Sequence, residues 1–237
     1  MIDIHCHGGG GFYFSDPNIE NIQIAIDTHK SSGTSQLLTS LVTDTIDNLK
    51  NQITRLFPFY ERGEIAGIHL EGPYLSHNRC GAHEPTLLRL PNLDEIKSLL
   101  DVGNGAIAMV TIAPELPGAL EVIEYLERNG IIAAIGHTDG DANDASAAIE
   151  AGANVVTHFT NAMSKLHDGK DSFARRVFDD SRIALELIVD GVHVPFAEVA
   201  EIFAKAPGRI ILISDAMSAA GNPDGDYKIG SLDVEVR

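Results

Sequence analysis

The sequence predicts a TIM-like (β/α)8 barrel on three observations. Short runs rich in Ile, Val and Ala recur along its 237 residues, each is followed by a polar or glycine-containing corner, and each corner leads into a longer amphipathic stretch. The apolar runs that read as strands lie at residues 2–7, 35–41, 65–70, 106–112, 131–135, 154–158, 184–189 and 209–214. Between them, helical spacing of apolar residues covers 18–32, 45–60, 93–102, 116–129, 141–151, 173–178 and 195–205. Asp44 and Asp141 stand where helix N-caps are expected, and Gly33, Asn129 and Gly152 stand where helices should end. Eight units with buried-looking strands favour a closed barrel over an open doubly wound sheet.

The β/α rhythm runs through the whole chain without an internal repeat beyond it, a low-complexity segment or a linker. Residues 1–237 are therefore read as a single barrel domain. The first strand begins almost at the first residue, and only a short tail, ending in the strand-like stretch 232–236, follows the eighth. The expectation is a shortened barrel domain in which 228–237 begin a flanking β-element.

Composition bounds the function. Hydrophobic residues at 44% and charged residues at 22% are those of an ordinary folded protein. A formal net charge of −17 opposes binding to nucleic acid or to an anionic membrane, both polyanions that recruit Lys and Arg. A small-molecule partner fits better. Cys6 and Cys80 are the two cysteines, too few for a disulfide framework, and a reducing cytoplasmic setting is expected. The longest apolar runs are strand-length, well short of the roughly 20 residues of a membrane helix.

The strand C-termini of such a barrel converge on one mouth, and here nearly every one carries a polar residue able to bind a metal. The first strand ends in His5-Cys6-His7, the third in His69-Leu70-Glu71, the fifth in Gly136-His137, the sixth in Thr157-His158, the seventh in Asp190-Gly191-Val192-His193 and the eighth in Ser214-Asp215. Residues two apart on a strand face the same way, so His5 and His7 can both point into the mouth while Cys6 points away. Glu71 ends an apolar strand and precedes a Gly-Pro turn, where a carboxylate needs a cation partner. With His137 and His158 it makes a mixed N/O set suited to Zn or a similar divalent ion with positions open to water. Asp215 closes the series. Taken alone it reads as a helix N-cap, but beside a metal it is placed to take a proton from a metal-activated water and return it to a leaving amine.

These residues, together with His69-Leu70-Glu71-Gly72-Pro73 and Thr157-His158-Phe159-Thr160-Asn161-Ala162-Met163, resemble in order the motifs of the N-acetylglucosamine-6-phosphate deacetylases of the amidohydrolase superfamily. The resemblance spans nearly the whole chain. It implies a cytoplasmic, metal-dependent barrel that removes acetate from N-acetylglucosamine 6-phosphate, with Asp215 as general base and acid. It also implies Glu71, His137 and His158 at the main metal position and His5 and His7 at a second one. Zn is the expected ion, one or two per chain, with Fe, Mn or Co as alternatives. Ala82 and His83 would contact the acetamido or sugar group, Asn161 and Ala162 would lie near the phosphate, and His193 would bind the sugar. A homodimer is compatible with the resemblance.

Two departures stand out. Gly169 occupies the place where the family usually carries a phosphate-clamping Arg, with Lys170 and His167 as the nearest substitutes, neither offering the bidentate fork of a guanidinium. Most of the flanking β-sandwich of the family is also missing from the sequence. Other readings are an amidohydrolase acting on a related N-acetyl sugar or a cyclic amide, and a sugar-phosphate-binding homologue without turnover. Many enzymes of the cyclic-amide kind carry a Lys at the end of strand four, and here that strand ends in Thr111-Ile112-Ala113-Pro114-Glu115.

Overall fold

In a computed structural model, residues 1–229 and 232–236 of the chain are described. Eight strands form one sheet: β1 (Ile2–Cys6), β2 (Gln36–Val42), β3 (Gly67–Glu71), β4 (Ile107–Ile112), β5 (Ile132–Ile135), β6 (Val155–Val156), β7 (Ala184–Leu187) and β8 (Ile210–Leu212). Each pairs in parallel with the next in the chain. Helices α1 (Ile19–Ser31), α2 (Ile46–Glu61), α3 (Leu93–Gly103), α4 (Ala119–Arg128), α5 (Ala142–Glu150), α6 (Phe173–Asp179) and α7 (Phe196–Lys205) connect them. The result is the nearly closed barrel that the βα rhythm predicts.

The helices form where spacing and caps agree. In α2, Leu49, Ile53, Leu56 and Phe59 recur every three or four residues and are buried against the sheet. Asp141 caps α5 in a reciprocal capping box with Asp144. Asp44 is a correction: the N-cap of α2 is Thr45, whose hydroxyl accepts the Asn48 N–H, while Asp44 accepts from the side chains of Asn48 and Gln52. Gly33 and Gly152, with φ of 98° and 112°, turn the chain out of α1 and α5 as expected.

The main core lies between sheet and helices, and the barrel interior is layered by the two-residue alternation of its strands. Leu38, Met109, Ala134 and Val155 form an apolar layer. Two residues further along their strands, Ser40, Thr111 and Thr157 make a polar layer centred on the buried His69, which bonds to Ser40 Oγ (2.9 Å) and to Thr111 Oγ1 (2.8 Å). Thr111 Oγ1 in turn lies 2.7 Å from Thr157 Oγ1. The mouth lies above this layer.

No ladder joins β1 to β8 among the described residues. The seam is held at its upper end instead. The Asp3 carboxylate accepts from the hydroxyl and backbone N–H of Ser214, Asp215 N donates to His5 O (2.9 Å), and His7 N donates to Ala216 O (2.7 Å). Two short antiparallel pairs lie outside the barrel, Gly8–Gly9 with Phe12–Tyr13 and Gly225–Ile229 with Leu232–Val236. Of the expected flanking element at 228–237, residues 230, 231 and 237 lie outside the described residues. No helix among the described residues is long and apolar enough to cross a membrane.

Candidate metal centre

Glu71, the last residue of β3, is buried, and its carboxylate is ringed by imidazoles. Its Oε1 lies 3.2 Å from Nε2 of His137, 3.2 Å from Nε2 of His158 and 3.3 Å from Nε2 of His5. Its Oε2 lies 3.3 Å from Nε2 of His7 and 3.1 Å from Nε2 of His83. Asp215 Oδ1 stands 3.3 Å from His7 Nε2 and 3.4 Å from His5 Nε2. The mouth thus gathers Glu71, His137 and His158 on one side and His5, His7 and Asp215 on the other, with Glu71 touching both groups.

The spacing fits ion binding. His137 Nε2 and His158 Nε2 are 2.9 Å apart, and His5 Nε2 and His7 Nε2 are 3.1 Å apart. At metal–ligand bonds of about 2.0–2.2 Å, neighbouring donors of a tetrahedral site lie about 3.3 Å from each other. Imidazole nitrogens this close, facing the same carboxylate, form edges of that size. The sets His5, His7, Glu71 and Glu71, His83, His137 each present their donor atoms within 4.8 Å of one another. Asp3, Cys6 and His29 also lie close together, but their polar atoms bond to Ser214, Leu38 O and Gly8 O respectively.

Electrostatics point the same way. Burial would raise the Glu71 carboxyl, but the imidazoles that surround it, His5 foremost, hold it well below the carboxylate range. Burial likewise opposes ionisation of Asp215, and His5 and His7 overcome it, keeping the carboxyl low. His7 resists its own desolvation through Asp215 and Glu71 and is raised to about 9. His5 and His158 are also raised against burial, His5 by Asp215, Glu71 and Glu186 and His158 mainly by Glu71. His137, desolvated and beside other imidazoles, is lowered to about 4. The Glu71 and Asp215 carboxylates are thus held low by the same imidazoles that they raise, and a divalent cation would compete with protons for that cluster.

The backbone at the mouth is strained. His137, His158 and Asp215 have φ of 48°, 28° and 49°, as do Thr160 at 69° and Ala162 at 47°. Non-glycine residues in this region cost about 1–3 kcal/mol each and persist where surrounding structure holds them. Here the left-handed corners turn the side chains after β5, β6 and β8 toward Glu71. This also explains why β6 stops at Val156, short of the expected 158. Gly136 permits the β5 corner, since a Cβ there would lie 2.7 Å from Thr157 Cβ.

The substrate-contact candidates meet in one cleft of about 350 Å³, lined by Ala82, His83, Asn161, Ala162 and His193 together with Tyr13, Met217 and the centre itself. His83 lines this cleft and lies in hydrogen-bond range of Glu71. Its Nδ1 accepts the Thr43 N–H at 3.2 Å, leaving the ring proton on Nε2. His193 is at the exposed rim, 2.7 Å from Asp190. Asn161 Nδ2 is buried without a partner among the described residues. Among the described residues, no Arg or Lys lines the cleft. His167 pairs with Glu201 at 3.2 Å, and neither it, Gly169 nor Lys170 lines the cleft.

Sequence reasoning missed Glu186, which is fully buried on β7 and accepts from His5 Nδ1 at 3.0 Å. The signal was present: a lone carboxylate inside the apolar strand Ala184-Leu185-Glu186-Leu187.

A parallel barrel with histidines and carboxylates gathered at the carboxyl ends of its strands has the architecture of a metal-dependent hydrolase. The chain belongs to the amidohydrolase family, whose pattern matches residues 1–221. It is 35% identical over 245 residues to the N-acetylglucosamine-6-phosphate deacetylase of Bacillus subtilis (strain 168), covering 100% of this chain and 62% of that one. It is 33% identical over 240 residues to the N-acetylgalactosamine-6-phosphate deacetylase of Escherichia coli O157:H7, covering 99% and 63%. Among solved structures it resembles a mutant N-acetyl-D-glucosamine-6-phosphate deacetylase of Mycobacterium smegmatis in complex with N-acetyl-D-glucosamine-6-phosphate. The TM-score is 0.96 at 44% identity, over 100% of this chain and 62% of that one. The chain therefore spans about three fifths of the length of these relatives.

Proposed function

We propose that the chain carries the catalytic barrel of a metal-dependent deacetylase that converts N-acetylglucosamine 6-phosphate to glucosamine 6-phosphate and acetate. The observation that carries this reading is the convergence of Glu71, His137 and His158 on one point, with the Asp215 carboxylate opposite them. Its support from outside the chain is the naming of the relatives. Glu71, His137 and His158 would hold the main ion and His5 and His7, with Asp215, a second. The mixed imidazole and carboxylate donors suit Zn, with Fe, Mn or Co as alternatives. A divalent ion there supplies Lewis acidity to the amide carbonyl and makes a water more acidic.

The chain's own residues do the rest. Asp215, kept ionised by His5 and His7, accepts the proton of the attacking water and then returns it to the departing amine. His83, with its proton on Nε2, donates toward the amide oxygen as negative charge develops there. Asn161, with Nδ2 free, and the backbone of Ala162 orient the phosphate end, and Ala82 and His193 contact the acetamido and sugar groups. The setting is cytoplasmic, in keeping with two free cysteines.

One observation favours a second reading, a related N-acetyl amino sugar without phosphate: among the described residues no Arg or Lys lines the cleft, and Gly169 stands where a clamping Arg is expected. Acetate release from N-acetylglucosamine 6-phosphate and from N-acetylglucosamine, before and after chelation, decides between them. Release from the phosphorylated sugar that chelation abolishes is expected. Equal rates on the two sugars favour the second reading, and metal-independent release or none from either sinks both.

A further inference from the structure

Glu186 lies behind the centre rather than in it, and its contacts tie two distant parts of the mouth together. Its Oε2 accepts from His5 Nδ1 on β1 (3.0 Å) and from the backbone N–H of His158 after β6 (3.1 Å). Its own carbonyl accepts the Phe159 N–H (2.8 Å), so β7 grips the left-handed corner at 158 from two sides. The residue is 0% exposed, and Oε1 has no partner among the described residues. Leu at this position would complete an apolar strand without the cost of burying a carboxylate.

The other imidazoles of the mouth are backed differently. His137 Nδ1 bonds to the neutral Arg79 carbonyl (2.8 Å), His83 Nδ1 accepts from Thr43, and His7 Nδ1 and His158 Nδ1 have no partner among the described residues. Only His5 among these five has a carboxylate behind its ring. That contact puts the proton on Nδ1, leaves the Nε2 lone pair facing His7, Glu71 and Asp215, and makes this nitrogen the strongest donor of the group.

We propose that Glu186 is the positioning residue that makes the first-strand pair His5 and His7 a competent divalent-cation site, so that occupancy of this second position depends on the carboxylate of Glu186, while the Glu71, His137 and His158 position needs from it only an oxygen that accepts the His158 N–H. The inference rests on the proposed metal centre. It predicts two classes of site in one barrel that can be separated by a change at a residue touching neither ion.

The test is a Zn titration of the whole chain, stripped and reloaded, with bound metal counted by mass spectrometry. Glu186→Gln keeps an oxygen able to accept from both His5 and His158 and removes only the charge. Wild type should hold two equivalents, and Glu186→Gln should weaken the second by about 10–100-fold, the range for loss of such an outer partner, with the first unchanged. Glu186→Leu should weaken it further. Two equivalents of unchanged affinity in Glu186→Gln overturn the inference and leave the reading of the centre standing. So does a wild type that saturates at one. A wild type that binds none overturns both. Should the variants not fold, cobalt-substituted wild type serves. A hyperfine-shifted His5 Nδ1–H that survives for hours in D2O is expected, and its absence or exchange within minutes overturns the proposal.

Discussion

Replacing Asp215 by Asn tests the reading of the mouth most directly. The amide has nearly the volume of the carboxylate and can keep the corner after β8, whose backbone N–H is held by His5 O at 2.9 Å. It cannot take a proton from water. It also removes the anion 3.3 Å from His7 Nε2 and 3.4 Å from His5 Nε2. Loss of a general base costs about 10²–10⁴-fold in rate. At about 1.36 kcal/mol per decade this is about 3–5 kcal/mol of transition-state stabilisation. The assay is single-turnover acetate release from N-acetylglucosamine 6-phosphate at saturating metal, with bound metal counted in the same sample. The expected outcome is a rate down by at least 10²-fold with the Glu71, His137 and His158 position still filled. A variant within tenfold of wild type, carrying its full metal, refutes the assignment of Asp215 as base. A rate restored by raising metal concentration alone leaves Asp215 only a ligand and refutes its role as base.

Three further outcomes follow from the geometry. Gly136→Ala places a Cβ 2.7 Å from Thr157 Cβ; overpacking of about 1–3 kcal/mol, at about 2–4 °C per kcal/mol for a domain this size, should appear in a thermal melt as a loss of about 2–12 °C. Chelation should lower the melting temperature as well as activity, because an ion at a free concentration 100 times its Kd stabilises the fold by about 2.7 kcal/mol; a melt indifferent to added Zn contradicts the centre. Asp180 is held below its ordinary range chiefly by hydrogen bonds from Arg182, with Arg176 adding to them, so its contribution is complete above its unfolded pKa near ~4 and is lost as pH falls through the lower folded value. Asp180→Asn should therefore be less stable than wild type at pH 7, and the gap should close in acid; a gap that is constant with pH shows that ionisation of Asp180 does not matter.

The barrel was legible because its signal repeats. Each strand carries its own apolar run and each helix its own stripe, so local errors such as taking Asp44 for a cap did not disturb the order of elements. The cluster at the mouth was legible for a related reason: residues at strand ends are brought together by topology, and His5, His7, Glu71, His137, His158 and Asp215 all occupy such ends. What escaped was set by direction and depth. His83 lies in the long loop after β3, where no periodicity says which way a side chain points, and it turned in against Glu71. Glu186 stands within β7, one strand position before its end, and only the barrel's curvature shows that it reaches His5 across the mouth. The left-handed backbone at 137, 158 and 215 was equally hidden, since His and Asp give no local signal that they will adopt it. The short β6 is its consequence.

The seam between β1 and β8 gives the mouth a second significance. His5 and His7 stand on one side of it and Asp215 on the other, so an ion shared by them would act as a removable cross-link between the two ends of the barrel. Like a covalent staple across a long loop, it would restrict the unfolded chain as well as clasp the folded one. The amides along β1 and β8 would then exchange with solvent in step, slowly with the clasp shut and faster with it open, while those of β3 to β5 would barely respond.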